Sequence, residues 1–226
     1  MLHTTPYSES SLVVKVFTRQ LGLRSYIIKG VRGRGGRVKQ NMFQPLSNLD
    51  MVVYNNEKTD LNYIKEISPR NISACQRVNV SIENALRFFM TEVLYKALRE
   101  AEPVPALFDY VDAINSQSPN TSPHLPISFL LTVARHLGIE PLDNYCSRDP
   151  YFCLEEGRFV SAANATTLPQ NLSSMLHVYL CTSLPTSHFP LEERTALIDT
   201  LISYFHLHLS GFSNFHSHEI LHALLK

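Results

Sequence analysis

A chain of 226 residues, 44% of them hydrophobic, can bury one large core or two small ones. No apolar run approaches the roughly 20 residues that span a bilayer. Residues 1–9 are polar and lack the apolar stretch of a secretory leader, so the expected location is the cytoplasm. Formal net charge is zero, but residues 1–70 hold 11 Lys/Arg against 5 Asp/Glu, and the remainder is acidic by the same margin. A basic half joined to an acidic half points to two modules with different partners.

Four segments of the basic half read as strands. Residues 12–18 (LVVKVFT) and 24–29 (RSYIIK) alternate and are β-branched, residues 51–54 (MVVY) form a short apolar run, and residues 63–67 give a weaker fourth. Gly22 marks a hairpin turn between the first two. Residues 30–36 (GVRGRGG) cannot pack a core and read as a loop. Short strands and tight turns in so small a length fit a five-stranded barrel of the OB type.

Eight basic residues and no acidic one lie between Ser10 and Lys39: Lys15, Arg19, Arg24, Lys29, Arg32, Arg34, Arg37 and Lys39. Several flank the glycine loop, where guanidinium groups can follow a bent phosphate backbone, and neutralising phosphates releases counterions. Tyr7, Phe17, Tyr26 and Phe43 can either stack on bases or fill the barrel, and for any one of them the core is the better expectation.

Beyond residue 73 the period becomes helical. Ile82, Ala85, Leu86, Phe89, Val93, Leu94 and Ala97 form one apolar stripe, stopped by Pro103 and Pro105. Further helices are predicted over 106–114, 127–137 (ended by Gly138), 172–180, 191–209 and 216–225. Residues 116–126 are rich in Ser, Asn and Pro and read as a loop, while 141–162 show no clear period. The expectation is an all-helical second domain. The four cysteines, Cys75, Cys146, Cys153 and Cys181, are scattered and read as free thiols, mostly buried.

His218-Glu219-Ile220-Leu221-His222 matches the HExxH pattern of zinc proteases, with both histidines on one helical face and Glu219 as a base. Most such sites take a third ligand from downstream, and the sequence ends at Lys226, so a chance amphipathic helix is the better account. No phosphate loop, nucleophile elbow or paired acid and base stands out. The sequence makes no case for an enzyme.

Taken together, these residues resemble the RecO family of recombination mediators, in its Bacteroidetes form, over nearly the whole chain. Residues 2–11 (LHTTPYSESS) look like the family's first strand and turn, followed by 16–22 (VFTRQLG), 26–32 (YIIKGVR) and 43–46 (FQPL). In the helical half, 102–109 (EPVPALFD), 137–141 (LGIEP) and 152–159 (FCLEEGRF) also match. Each motif alone is weak; their order and spacing carry the resemblance.

The resemblance implies an α+β protein: an N-terminal OB-fold β-barrel over residues 1–70 and a helical domain over 71–226. It implies binding to single- and double-stranded DNA, annealing of complementary strands, and help in loading RecA onto strands coated by the single-strand-binding protein SSB. Implied partners are RecR, the C-terminal tail of SSB and, indirectly, RecA, with no membrane. Arg19, Arg24, Lys29 and Arg32 match the family's DNA-binding barrel; Arg34, Arg37 and Lys39 join them on charge alone. Some relatives carry a four-cysteine zinc module between the helices. Here that region keeps only Cys146 and Cys153, so neither zinc nor any other cofactor is expected. Relatives usually have several residues ahead of the point where this chain starts, which implies either an incomplete first strand or a start placed late. Two rival readings are an OB-fold protein acting on RNA, which leaves the helical half unexplained, and a zinc hydrolase using His218, Glu219 and His222.

Overall fold

Five strands occupy the start of the chain in the computed structural model, which describes residues 1–31, 42–54, 59, 61–70, 80–98, 103–116, 122–182, 185 and 187–225. The strands are β1 (His3–Pro6), β2 (Leu12–Thr18), β3 (Gly22–Ile28), β4 (Leu49–Val53) and β5 (Leu61–Pro69). They form one sheet in the order β1-β2-β3-β5-β4, antiparallel except where β3 runs parallel to β5. Among the described residues no ladder joins β4 back to β1, so the expected barrel is present as a five-stranded sheet in this order.

The β2–β3 hairpin turns where the sequence places it. Gly22 has φ +68°, a backbone that suits glycine, and Thr18 braces the turn. Its hydroxyl donates to the Gly22 carbonyl (2.9 Å) and accepts from the Leu21 N–H (3.0 Å). Alternation along β2 sends Leu12, Val14 and Val16 to one face, opposite Ile28, Tyr26 and Arg24 of β3. There all of these except Arg24, which is exposed, join Val31 and Phe43 in a buried cluster, with Met51, Val53, Ile64 and Ile67 packed against it. Ile64 and Ile67 can both face inward because the β4–β5 register shifts between Val52 and Val53, leaving Lys65 as the extra residue. Each such side chain contributes about 1.5–3 kcal/mol on full burial.

The helices are α1 (Val80–Ala97), α2 (Pro105–Ser116), α3 (Leu125–His136), α4 (Gln170–Cys181), α5 (Leu191–His208) and α6 (Ser217–Leu225). Contacts divide the chain into two units, residues 1–78 with 90–119, and 79–89 with 120–226. Helix α2 packs with the sheet because one of its sides is made for it. Phe108 meets Phe17 edge-on at 5.5 Å, Asp112 accepts from Asn48 (2.6 Å), and buried Asn115 donates to the Leu46 carbonyl (2.7 Å). Leu46 has φ +55°, a conformation that costs a leucine of order 1–3 kcal/mol and persists only where neighbours hold it.

The second unit is not all-helical. Between α3 and α4, strands β6 (Tyr151–Cys153) and β7 (Arg158–Val160) pair as an antiparallel hairpin. Strands of three residues are too short to show alternation, which is why residues 141–162 lack a period. The hairpin turn needs Gly157: φ is +66°, and a Cβ there would stand 2.9 Å from the Tyr204 hydroxyl oxygen. Phe152 and Phe159 are fully buried, and Ser173 Oγ links the hairpin to α4 by accepting from the Phe152 N–H at 2.9 Å. Helix α3 is buried on most sides, packs on α5 and α4, and ends in a Schellman motif. In that motif the Gly138 N–H reaches the Arg135 carbonyl and the Ile139 N–H reaches Ala134. Of the cysteines, Cys153 is buried while Cys146 and Cys181 are exposed, so burial is the minority state of the described thiols.

Candidate nucleic-acid interface

Of the seven basic residues expected to bind nucleic acid, Arg19, Arg24 and Lys29 are described; Arg32, Arg34, Arg37 and Lys39 lie outside the described residues. The structure gives the three quite different settings.

Lys29 follows the last residue of β3, on the face of Ile27. The parallel β3–β5 ladder sets Ile27 beside Tyr63, so Tyr63 lies under the same strand end. Lys29 Nζ sits 4.7 Å from the centre of the Tyr63 ring, within range of a cation–π contact. Tyr63 is 45% exposed and Tyr54, whose N–H donates to the Tyr63 carbonyl at 3.0 Å, is 61% exposed. An ammonium group over one accessible phenol ring, with a second exposed tyrosine on the adjacent strand, therefore stands one residue before Gly30, whose φ is +74°. A cation beside open aromatic faces can hold a phosphate and offer a platform to a base.

Arg24 is also exposed, but it pairs with Val16 on the opposite face of β3 from Lys29, at the other end of the strand. The two are not brought together. Arg19, in the β2–β3 turn, is engaged within the unit: its guanidinium donates to both carboxylate oxygens of Asp109 on α2, at 2.7 and 3.0 Å. Those hydrogen bonds hold the Asp109 carboxyl below its usual range and raise Arg19. A forked pair of this kind satisfies the planar guanidinium and leaves it less to give to a phosphate. Lys15 lies over the Tyr95 ring of α1 at 5.4 Å.

The aromatics divide as core against surface. Tyr26, Phe17 and Phe43 are 1%, 7% and 7% exposed: Tyr26 and Phe43 belong to the sheet's buried cluster, Phe17 packs on Phe108 of α2, and burial pushes the Tyr26 phenol up. Tyr7 is 61% exposed. Tyr54 and Tyr63 are the rings that sequence reasoning missed. Their only signal is a β-strand pattern, because the β3–β5 pairing that puts Tyr63 against Lys29 joins strands distant in sequence.

The HExxH segment forms α6, with His218 and His222 on one face turned toward Asp199 of α5. Asp199 Oδ1 lies 3.9 Å from His218 Nε2 and 3.7 Å from His222 Nε2, beyond hydrogen-bond length. A carboxylate from upstream thus faces the pair, which the sequence reading did not foresee. Glu219, the base such a hydrolase needs, is exposed. Among the described residues no helix is long and apolar enough to cross a membrane.

Two family profiles cover the chain: "Recombination protein O N terminal" matches residues 1–72, and "Recombination protein O C terminal" matches residues 82–217. Among similar proteins, the DNA repair protein RecO of Azobacteroides pseudotrichonymphae is 26% identical, with 99% of this chain and 95% of that one aligned. Its counterpart in Flavobacterium johnsoniae is 28% identical over 98% of this chain and 94% of its own length. The Porphyromonas gingivalis protein is 28% identical over 99% and 96%. Profiles, full-length relatives and the order of the motifs agree: the chain belongs to the RecO family, in the company of its Bacteroidetes members.

Proposed function

We propose that this chain acts in DNA repair and recombination as a non-enzymatic mediator. It binds single- and double-stranded DNA, anneals complementary strands, and helps load RecA onto SSB-coated single strands. The observation that carries the DNA reading is the exposed Lys29–Tyr63 cation–π contact, with exposed Tyr54 on the neighbouring strand. Its chemistry is sequence-blind: ammonium and guanidinium groups neutralise phosphates, and open rings stack on any base. The strand order 1-2-3-5-4 supports an OB-type sheet as the platform.

Annealing needs two phosphate backbones to approach. Basic side chains along 29–39 lower the repulsion between them, and no covalent step is required. RecR and the SSB tail are the proposed protein partners, RecA an indirect one, and the cytoplasm the proposed location, all by family membership.

The test is annealing of two complementary oligonucleotides, one coated with cognate SSB, at low and high salt. Acceleration that fades as salt rises supports the proposal. No acceleration with or without SSB overturns it and favours the RNA-binding alternative, which competition between RNA and single-stranded DNA then decides.

A further inference from the structure

Three side chains that play no part in the interface above converge on the acidic unit. His177 and Cys181 stand four residues apart on α4, so they share one helical face. Asp143 comes from the loop after α3. His177 Nδ1 lies 2.7 Å from Asp143 Oδ1, Cys181 Sγ lies 3.3 Å from Asp143 Oδ2, and Sγ lies 3.6 Å from His177 Nδ1. One ligand atom from each falls within 4.8 Å of the others.

We propose that Asp143, His177 and Cys181 form a binding site for a zinc-like divalent transition metal, with solvent in the fourth position. In a tetrahedral zinc site with bonds of about 2.0–2.3 Å, ligand atoms stand about 3.3–3.6 Å apart. The sulfur already stands at that spacing from His177 Nδ1 and from one carboxylate oxygen, Asp143 Oδ2, while the imidazole is hydrogen-bonded to the other oxygen, Oδ1. The imidazole–carboxylate pair, now at hydrogen-bond distance, has only to open by about 0.6 Å. A thiolate and an imidazole select a borderline-soft ion over magnesium or calcium, and a single carboxylate completes a mixed S, N, O set.

The loop holding Asp143 is built rather than loose. Asn144 next to it donates to the Phe159 carbonyl (2.9 Å) and accepts from the Phe159 N–H (2.8 Å), and the Leu142 N–H donates to the Gly157 carbonyl (2.8 Å). On the other side, Tyr145 stacks on the His177 ring at 4.6 Å and 20°, fixing its plane. These contacts fix two of the three ligands before any ion arrives, as outer-shell partners do in metal sites.

A reactive cysteine is the rival reading, and the chemistry runs against it. The Cys181 thiol donates to Asp143 Oδ2 at 3.3 Å, and a carboxylate partner favours the protonated thiol over a nucleophilic thiolate. Metal uptake exchanges that thiol proton for the metal–sulfur bond and releases it to solvent. The two cysteines left from the relatives' four-cysteine region take no part: Cys146 points to Asp149 (3.6 Å) and Cys153 to Thr166 (3.5 Å).

The full-length protein, stripped with chelator and kept reduced, is titrated with cobalt and then zinc. The expected result is one cobalt per chain, with tetrahedral d–d absorption and a thiolate-to-cobalt charge-transfer band, displaced by zinc. Cys181→Ser abolishes the band, Asp143→Asn weakens uptake, and Cys146→Ser and His222→Gln leave both unchanged. Because Cys181 is exposed, its serine variant is expected to fold, and far-ultraviolet circular dichroism checks this. No stoichiometric uptake by the wild type overturns the proposal. So does a band that survives Cys181→Ser, or one lost in Cys146→Ser or His222→Gln.

Discussion

The two units bury themselves in opposite ways. The sheet unit packs one face with aliphatic side chains plus Tyr26 and Phe43. The later unit is aromatic at its centre, where Phe129, Phe152, Phe159, Phe205 and Phe212 are among the largest fully buried side chains. In the sheet unit the candidate interface lies at a strand end outside the apolar cluster, where Lys29, Tyr54 and Tyr63 face solvent. In the later unit the polar cluster of Asp143, His177 and Cys181 is braced against the hairpin through Asn144. The contrast separates two kinds of proposed site: an open platform suited to a large, sequence-blind ligand, and a small pre-set cluster suited to an ion.

Truncation inside the aromatic core is the harshest way to test that contrast. Phe152→Ala should lower stability by about 3–5 kcal/mol in urea denaturation of the full chain. A loss below about 1 kcal/mol would mean the hairpin is not integral to that core.

Next come changes at the platform. Tyr63→Ala should weaken single-strand binding by about 1–3 kcal/mol, alike on all sequences. Lys29→Ala should reduce the slope of log affinity against log salt by about 0.7. Arg19→Ala should leave that slope nearly unchanged, whereas Asp109→Asn, which releases Arg19, should tighten binding. Arg19→Ala and Lys29→Ala giving equal losses would dissolve the distinction between the two residues.

The smallest effect is a pH slope. His124 Nδ1 and the Tyr179 hydroxyl lie 2.7 Å apart. Burial first, then the Arg194 and His188 charges, holds the His124 imidazole below its ordinary 6.5. The unfolded chain therefore takes up this proton before the folded one does. The stability tied to a neutral His124 is whole above pH 6.5 and is lost as pH falls below it, until the folded imidazole also titrates. His124→Gln should flatten the melting temperature across that window; an unchanged slope assigns it to other groups.

What could be read from the sequence was what is local. The β2 alternation, the Gly22 turn, the Gly138 stop and the helix stripes all depend on neighbours within a few residues, and each is where its residues place it. What could not be read joins distant segments. Arg19 and Asp109 are separated by 90 positions, and nothing in either neighbourhood announces the ion pair. The Lys29–Tyr63 contact depends on a parallel pairing, and the β6–β7 hairpin is too short to show a period. The i, i+4 spacing of His177 and Cys181 was visible, but Asp143 lies 34 positions upstream of His177.

The discontinuity of the first unit has a consequence during synthesis. Phe17 emerges from the ribosome long before Phe108, the ring that meets it, and Leu46 before Asn115, which binds its carbonyl. At about 5–20 residues per second the nascent sheet waits on the order of 5–20 s for its helix. During that wait the outer side of the hairpin lacks its cover while the basic segment is already outside. A nascent chain stalled before α2 should therefore attract chaperones through the uncovered side of the hairpin, and one stalled beyond it should not.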